Sequence, residues 1–174
     1  MNNQINQVNY TKFLGLYIDE ELTWKYHINH VTMKVAKMTG IMAKARHFLP
    51  LKTLLTLYNT MIYPYLTYCN IIWASTYPTR LKPILKIQKK LIRIITFANY
   101  TEKSGPLFKS LKILKIFELN TYLTAVFMYS YNHDKLPAFF DNFFQTNESI
   151  HSYNTRSSSK VHIEFRRTDR KSVV

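Results

Sequence analysis

The sequence predicts a mainly α protein, a helical bundle preceded by one short β-strand and followed by a flexible basic tail. Three observations carry that prediction. From Trp24 to Tyr131 apolar residues recur at spacings of three and four, the period of a helix that buries one side. Three glycines and six prolines in 174 residues are too few for a turn-rich all-β design or for disorder. With 47% hydrophobic and 15% aromatic residues, the chain has enough apolar matter for one core.

The elements follow in order. Thr11 to Ile18 is rich in aromatic and β-branched residues and reads as a short strand, with Gly15 marking a close backbone approach. After the acidic turn Asp19-Glu20-Glu21, Thr23 is placed to cap a long amphipathic helix. Its apolar stripe is Trp24, Ile28, Val31, Val35, Met38, Ile41 or Met42, and Ala45, ending near Phe48, with Gly40 inside as a point for a bend or a tight contact. Pro50 suits the first turn of a second helix that buries Leu51, Leu54, Leu55, Tyr58, Met61 and Ile62, and Pro64 kinks or ends it. Tyr65 to Tyr77 reads as helix. So do Thr79 to Ala98, a short turn through Leu111, and Lys112 to Tyr131, where Ile116, Leu119, Tyr122 or Leu123, Val126 and Tyr129 keep the spacing. Leu136 to Phe140 and Phe143-Phe144 form a packed turn or short helix. Beyond Gln145 the composition turns polar and basic.

Charge singles out one segment. The net charge is +14, and from Arg80 to Lys115 ten basic residues stand against one acid, Glu102. In the helix Thr79–Ala98, Leu81, Ile84, Leu85, Gln88, Leu91, Ile92 and Ile95 share one face, while Lys82, Lys86, Lys89 and Arg93 line the opposite side with Lys90 beside them. Pro83 is tolerated in the first turn. Lysines solvate the outside of any helix, but ordinary surfaces mix signs, and an unrelieved basic stretch repels itself unless an anion visits it. A Lys/Arg row at helical spacing neutralises phosphates and releases their counterions without reading base sequence. These five residues are therefore the candidate nucleic-acid contacts. A basic amphipathic helix also suits an anionic membrane surface, but the apolar face from Lys82 to Arg93 has no Trp or Phe, and the bundle needs that face.

Other chemistry is weakly represented. His27 and His30 are three apart without a third ligand nearby in sequence, so no metal is assigned. The single Cys69 excludes an internal disulfide and lies in an aromatic stretch that suits a buried free thiol. No glycine-rich phosphate loop and no Gly-x-Ser-x-Gly elbow occurs. Neither a signal peptide nor an apolar run approaching ~20 residues is present, so the expected setting is intracellular, in cytoplasm or nucleus.

A set of short words resembles one family. Phe13-Leu14-Gly15-Leu16-Tyr17-Ile18-Asp19 is followed by Leu22-Thr23-Trp24-Lys25, His27-Ile28 and Lys44-Ala45-Arg46-His47-Phe48-Leu49-Pro50. Tyr63-Pro64-Tyr65-Leu66-Thr67-Tyr68-Cys69, Trp73, Gln88-Lys89, Ile92-Arg93-Ile94-Ile95 and His151-Ser152-Tyr153-Asn154-Thr155-Arg156 continue the series. In this order they resemble the stretch after the catalytic palm in reverse transcriptases of non-LTR (LINE-type) retrotransposons, over roughly Tyr10 to Arg156. The resemblance implies three parts: residues 1–19 as the last palm strand, 20–144 as a helical thumb and C-terminal bundle, and 145–174 as a flexible, truncated tail. It also implies an RNA/DNA template–primer as partner, with an upstream palm missing.

The acids set what the chain does with such a partner. Metal-dependent nucleotidyl transfer needs carboxylates converging on two cations. None of the ten acids forms an Asp-Asp pair or an aromatic-x-Asp-Asp turn. The expectation is a reverse transcriptase fragment that binds template–primer and does not extend it, with no cofactor of its own and Mg only in the complete enzyme. Two alternatives stand beside it: a non-functional structural remnant of a decayed element, and a stand-alone helical nucleic-acid-binding module.

Overall fold

A computed structural model describes residues 8–141, 143–151, 153, 156–158 and 160–162. The chain divides into two compact units, residues 1–123 and 124–174. The first opens with an antiparallel hairpin, β1 (Tyr10–Phe13) and β2 (Leu16–Asp19), in the register Tyr10↔Asp19 to Phe13↔Leu16. The single strand expected over Thr11–Ile18 is thus two. Leu14 and Gly15 both have positive φ, 46° and 85°, which a two-residue type I′ loop requires. Leucine there hides the turn from a reading that looks for Asn-Gly or Asp-Gly. Gly15 is used for its φ, since a Cβ there would meet Tyr68 at an ordinary 3.5 Å.

Helix α1 (Lys25–Ala45) buries His27, Ile28, Val31, Val35, Thr39 and Met42. Of the two alternatives at its end, Met42 is buried and Ile41 is exposed. Thr23 does not cap it. The cap-position residue is Trp24, left-handed at φ 61°, and the junction is held by the Asp19 carboxylate, which accepts the Thr23 and Trp24 N–H groups at 2.9 and 2.8 Å and the Thr23 hydroxyl. Gly40 is exposed with open space around it, so it marks no tight contact.

Pro50 stands just before α2 (Leu51–Leu57), which passes through a π-helical turn (Tyr58–Ile62) into α3 (Tyr63–Thr67). The buried residues Leu54, Tyr58, Ile62 and Leu66 are each four apart. In a plain α-helix four residues exceed one 3.6-residue turn and the row drifts; the wider π turn, closed by the Tyr63 N–H on the Tyr58 carbonyl, takes up part of that drift. It comes just ahead of Pro64, whose missing N–H already interrupts the ladder. Leu51, expected on the buried side, is exposed. The helix expected over Tyr65–Tyr77 is broken at Tyr68-Cys69, where Cys69 has φ 49°, and resumes as α4 (Asn70–Trp73). Cys69 is a free, half-buried thiol.

Helix α5 (Pro78–Ile95) packs along α1, and the two supply half of the first unit's buried apolar core: Ile28, Val31, Val35 and Met42 with Leu81, Ile84, Leu91, Ile92, Ile94 and Ile95. Helix α6 (Ser104–Ser110) adds Phe108, and α7 (Ile116–Asn132) adds Ile116 and Leu119. Of the alternatives Tyr122 and Leu123, Leu123 is half-buried against the core and Tyr122 is exposed; Val126 and Tyr129, expected on the packed stripe, are exposed as well. Within the second unit Phe127 meets Phe140 and Phe144 edge to face at 5.7 and 6.4 Å, and Tyr131 meets Phe144 at 4.9 Å. Ala138–Phe140 forms the expected short turn of helix. Asn147–Ile150 forms a last turn, α8, and Thr146 bridges to Val161. Arg166, Arg167, Arg170 and Lys171 lie outside the described residues, as do Ser152, Asn154 and Thr155 of the word His151–Arg156.

With so few glycines, three helices end on a left-handed residue that is not glycine. After α5, α6 and α7 those residues are Phe97 (φ 58°), Lys112 (φ 55°) and Asp134 (φ 50°). At each, the next N–H reaches back five residues: Ala98 to Arg93, Ile113 to Phe108 and Lys135 to Ser130, at 3.0, 3.0 and 2.9 Å. This is the Schellman closure, which glycine forms without steric cost.

Two predictions follow from these bonds. Lys112 is exposed, so Lys112→Gly should stabilise the chain by about 0.5–1 kcal/mol, because a non-glycine residue in the left-handed region costs about 1–2 kcal/mol and part of that is returned as glycine's extra entropy; a melting temperature raised by roughly 1–4 °C in circular dichroism is the expected readout. Buried Gln88 accepts the Ile116 N–H through Oε1 at 2.9 Å and donates to the Leu114 carbonyl at 3.4 Å. Gln88→Leu strands both partners and should cost about 1–3 kcal/mol in urea unfolding.

Candidate nucleic-acid interface

The candidate surface is built on α5. Pro78 is at its first position, where a missing N–H costs nothing. Pro83, expected in the first turn, falls in the second because the helix starts at Pro78. The carbonyl it leaves without a helical donor belongs to Thr79, an exposed residue where that loss is cheap. Leu81, Ile84, Gln88, Leu91, Ile92, Ile94 and Ile95 are buried and Leu85 is half-buried. Burial of that face turns the basic residues outward.

Lys82, Lys86 and Lys90 are exposed, and Lys89 and Arg93 are half-buried beside them. At 100° and 1.5 Å per residue the five span an arc of roughly 100° and a length of about 16 Å. Arg93 is the one already engaged: its Nε donates to the Glu102 carbonyl at 2.9 Å, its Nη1 to the Lys89 carbonyl at 3.4 Å, and its guanidinium lies 6.0 Å from the Tyr100 ring centre. It ties down the turn after α5 as well as facing outward. Lys103, Lys109 and Lys112 are exposed, whereas Lys115 is paired with Glu118 at 2.6 Å, and bonds from the Lys115 side chain and N–H hold that carboxyl below its usual range.

The positive field is wider than the segment Arg80–Lys115. No Asp or Glu occurs between Glu21 and Glu102, a window with twelve Lys and Arg residues. It contains all of α1 and α5, so neither member of the central helix pair carries a carboxylate. A surface of one sign over that length focuses potential on anionic ligands.

Comparison with known proteins finds relatives of one kind. Over 137 residues, 76% of its length, the chain is 30% identical to a probable RNA-directed DNA polymerase from transposon X-element of Drosophila melanogaster. Over 109 residues, 60% of its length, it is 28% identical to the RNA-directed DNA polymerase from mobile element jockey of Drosophila funebris, and equally to that of Drosophila melanogaster. The chain is homologous to the RNA-directed DNA polymerases of non-LTR retrotransposons. It spans 14% of the first relative and 12% of the other two. No family model matches it, and no solved structure does.

A polymerase homologue raises the question of metal. Among the described residues no three His, Cys, Asp or Glu side chains come together to hold an ion. Asp19 is spent on the hairpin–helix junction: burial alone would raise its carboxyl, but the Thr23 and Trp24 hydrogen bonds outweigh that and keep it below the usual value. No metal-assisted step is therefore assigned to these residues. Among them, also, no helix is long and apolar enough to cross a membrane.

His27 and His30 do share surroundings. Both line a cavity of about 500 Å³ bounded by Leu14 and Gly15 of the hairpin turn, Val31, and the segment from Pro64 to Tyr68. Tyr68 donates its hydroxyl to the Leu14 carbonyl at 2.5 Å, fixing the turn over it. His27 is buried, receives the Tyr17 N–H on Nδ1 at 3.4 Å and meets Trp73 edge-on at 5.4 Å. Burial, with His30 adding repulsion, pushes its imidazole down to about 4. His30 is lowered as well, by burial and by Lys34 and Lys12. The sequence carries no mark of the junction roles of Asp19, Tyr68 and Asn70, whose buried amide donates to the Leu66 carbonyl at 2.7 Å and accepts from Asn120 at 3.1 Å. A polar residue that closes a junction has no period to betray it.

The imidazole shifts set a pH window. The unfolded chain protonates His27 near 6.5 and the folded chain only near 4, so between those values the unfolded state holds the extra proton and stability falls as pH is lowered. Urea unfolding should show stability steady above pH 7 and about 3 kcal/mol lower by pH 4 from this group. His27→Gln should flatten most of that slope, leaving the smaller part due to His30.

Proposed function

We propose that this chain is the thumb and C-terminal segment of a non-LTR retrotransposon reverse transcriptase, and that it grips the backbone of an RNA/DNA template–primer through α5 without extending it. Lys82, Lys86, Lys89, Lys90 and Arg93 are the contacts, and the RNA-directed DNA polymerase activity resides in the parent protein. The carrying observation is the two-faced α5, with Lys82, Lys86 and Lys90 outward on a helix pair that lacks a carboxylate.

The chemistry asked of this surface is modest. Ammonium groups along ~16 Å of helix replace counterions condensed on phosphates, and their release drives binding without base recognition. Arg93, already bound to two backbone carbonyls, offers only its remaining donors, whereas the three exposed lysines are unencumbered. Lysine as a strongly hydrated point charge on a flexible stem suits a hybrid that must slide past the protein.

The remnant reading also has an observation behind it. All four residues of β1 are exposed, Phe13 and Leu14 are 60% and 73% exposed, and such an edge invites aggregation when it lacks a covering partner. The two readings separate in solution. Fluorescence anisotropy of a labelled RNA/DNA hybrid across a salt series should give an affinity that falls steeply with salt. The triple variant Lys82→Gln/Lys86→Gln/Lys90→Gln should bind more weakly at every sequence and reduce the slope of log K on log salt by about 3, roughly one per lysine. A helical chain with no low-salt binding would sink the clamp and leave the remnant.

A further inference from the structure

At the end of the first unit where α1 and α5 finish, three aromatic rings stand in solvent. Phe48, in the turn after α1, is 86% exposed; Tyr100, in the turn after α5, is 81% exposed; Phe97, at the left-handed position closing α5, is 47% exposed. Two of the rings lie against guanidinium groups. Arg46, two residues before Phe48, lies 5.1 Å from the Phe97 ring centre, and Arg93 lies 6.0 Å from that of Tyr100. The turn bearing Tyr100 is fastened by Arg93 to the Glu102 carbonyl, so the ring is carried on a tethered segment.

Exposed rings alone signify little, and water disfavours them. Here they border the basic ridge, with Lys89 and Arg93 on the last turns of α5, Lys44 and Arg46 at the end of α1, and Lys103 beyond Tyr100. The only carboxylate in the sequence from Leu22 to Leu114 is Glu102. An apolar protein partner would gain nothing from that charge. A nucleobase has a π-face for each ring and brings a phosphate for each cation.

We propose that Phe48, Phe97 and Tyr100, interleaved with Arg46 and Arg93, form a stacking platform for unpaired bases of single-stranded nucleic acid. This rests on the reading of α5 as a backbone-binding ridge and adds to it: the ridge holds phosphates, and the platform at its end takes bases that have left the duplex. The platform is indifferent to base identity, since every base has a π-face, and it favours strands with bases over strands without them.

The test compares two oligonucleotides of equal length and charge with the full chain, one of mixed bases and one abasic over its central nucleotides. The wild-type chain should bind the base-bearing strand about tenfold or more tightly, and a 2-aminopurine in that strand should lose fluorescence on binding. Tyr100→Ser should remove about tenfold of the affinity for the base-bearing strand, leave the abasic strand unchanged and restore the fluorescence. Phe97→Gly is the second variant, because glycine suits the left-handed position and keeps the helix end intact. If wild type binds both strands equally with a steep salt dependence, the platform is overturned and the backbone ridge stands. If it binds neither at low salt, both fall. If the variants lose both strands alike at unchanged helicity, or lose self-association in sedimentation instead, the rings serve another contact and the platform is overturned.

Discussion

Helices α1 and α5 lie along one another because each has only one side it can bury. Ile28, Val31, Val35 and Met42 on one and Leu81, Ile84, Leu91, Ile92 and Ile95 on the other are nearly or fully removed from water, and a residue of this kind contributes roughly 1.5–3 kcal/mol when buried. Rotating either helix would exchange that face for lysine. The outward direction of Lys82, Lys86 and Lys90 is thus a consequence of core packing rather than an independent choice. The exposed lysines and the buried apolar residues occupy opposite faces of the same helix, so Lys82, Lys86 and Lys90 can be replaced without disturbing the core.

Polar side chains hold what the apolar packing leaves undetermined. Asp19 closes the hairpin onto the start of α1, Tyr68 fastens the hairpin turn to the break between α3 and α4, and Gln88 reaches from α5 to the start of α7. Each connects elements far apart in sequence or different in type. Aromatic contacts reinforce the hairpin on α1, with Tyr10 stacked on Tyr26 at 4.4 Å and Tyr17 tilted against His30 at 4.9 Å. Neutral His27 sits inside this junction, which is why acid should loosen it first.

Scarcity of glycine shapes the chain ends of the helices. Phe97, Lys112 and Asp134 adopt a backbone that glycine would adopt freely, and the cost is tolerated because each closure satisfies carbonyls that would otherwise be unbonded. At Phe97 the same choice leaves a ring at the rim of the basic face, under Arg46. An arrangement that is strained for folding thereby places an aromatic surface beside cations.

The helical spacing of apolar residues was enough to find α1, α5 and their buried faces, because period and burial are the same fact seen from sequence and from structure. It was also enough to name Lys82, Lys86, Lys89, Lys90 and Arg93 as one cationic side, since 100° per residue fixes their arc before any packing is known. The acid-free window from Leu22 to Thr101 was equally legible, being only a matter of composition. What the sequence did not determine depends on residues meeting across the fold or on backbone angles without a compositional mark. Leu14-Gly15 turns a strand into a hairpin through two positive φ values, the π turn at Tyr58–Ile62 realigns a drifting row, and Arg93 is drawn onto the Glu102 carbonyl. Local period decides which face a helix hides; only tertiary structure decides what that face meets and which of its outward charges are left free.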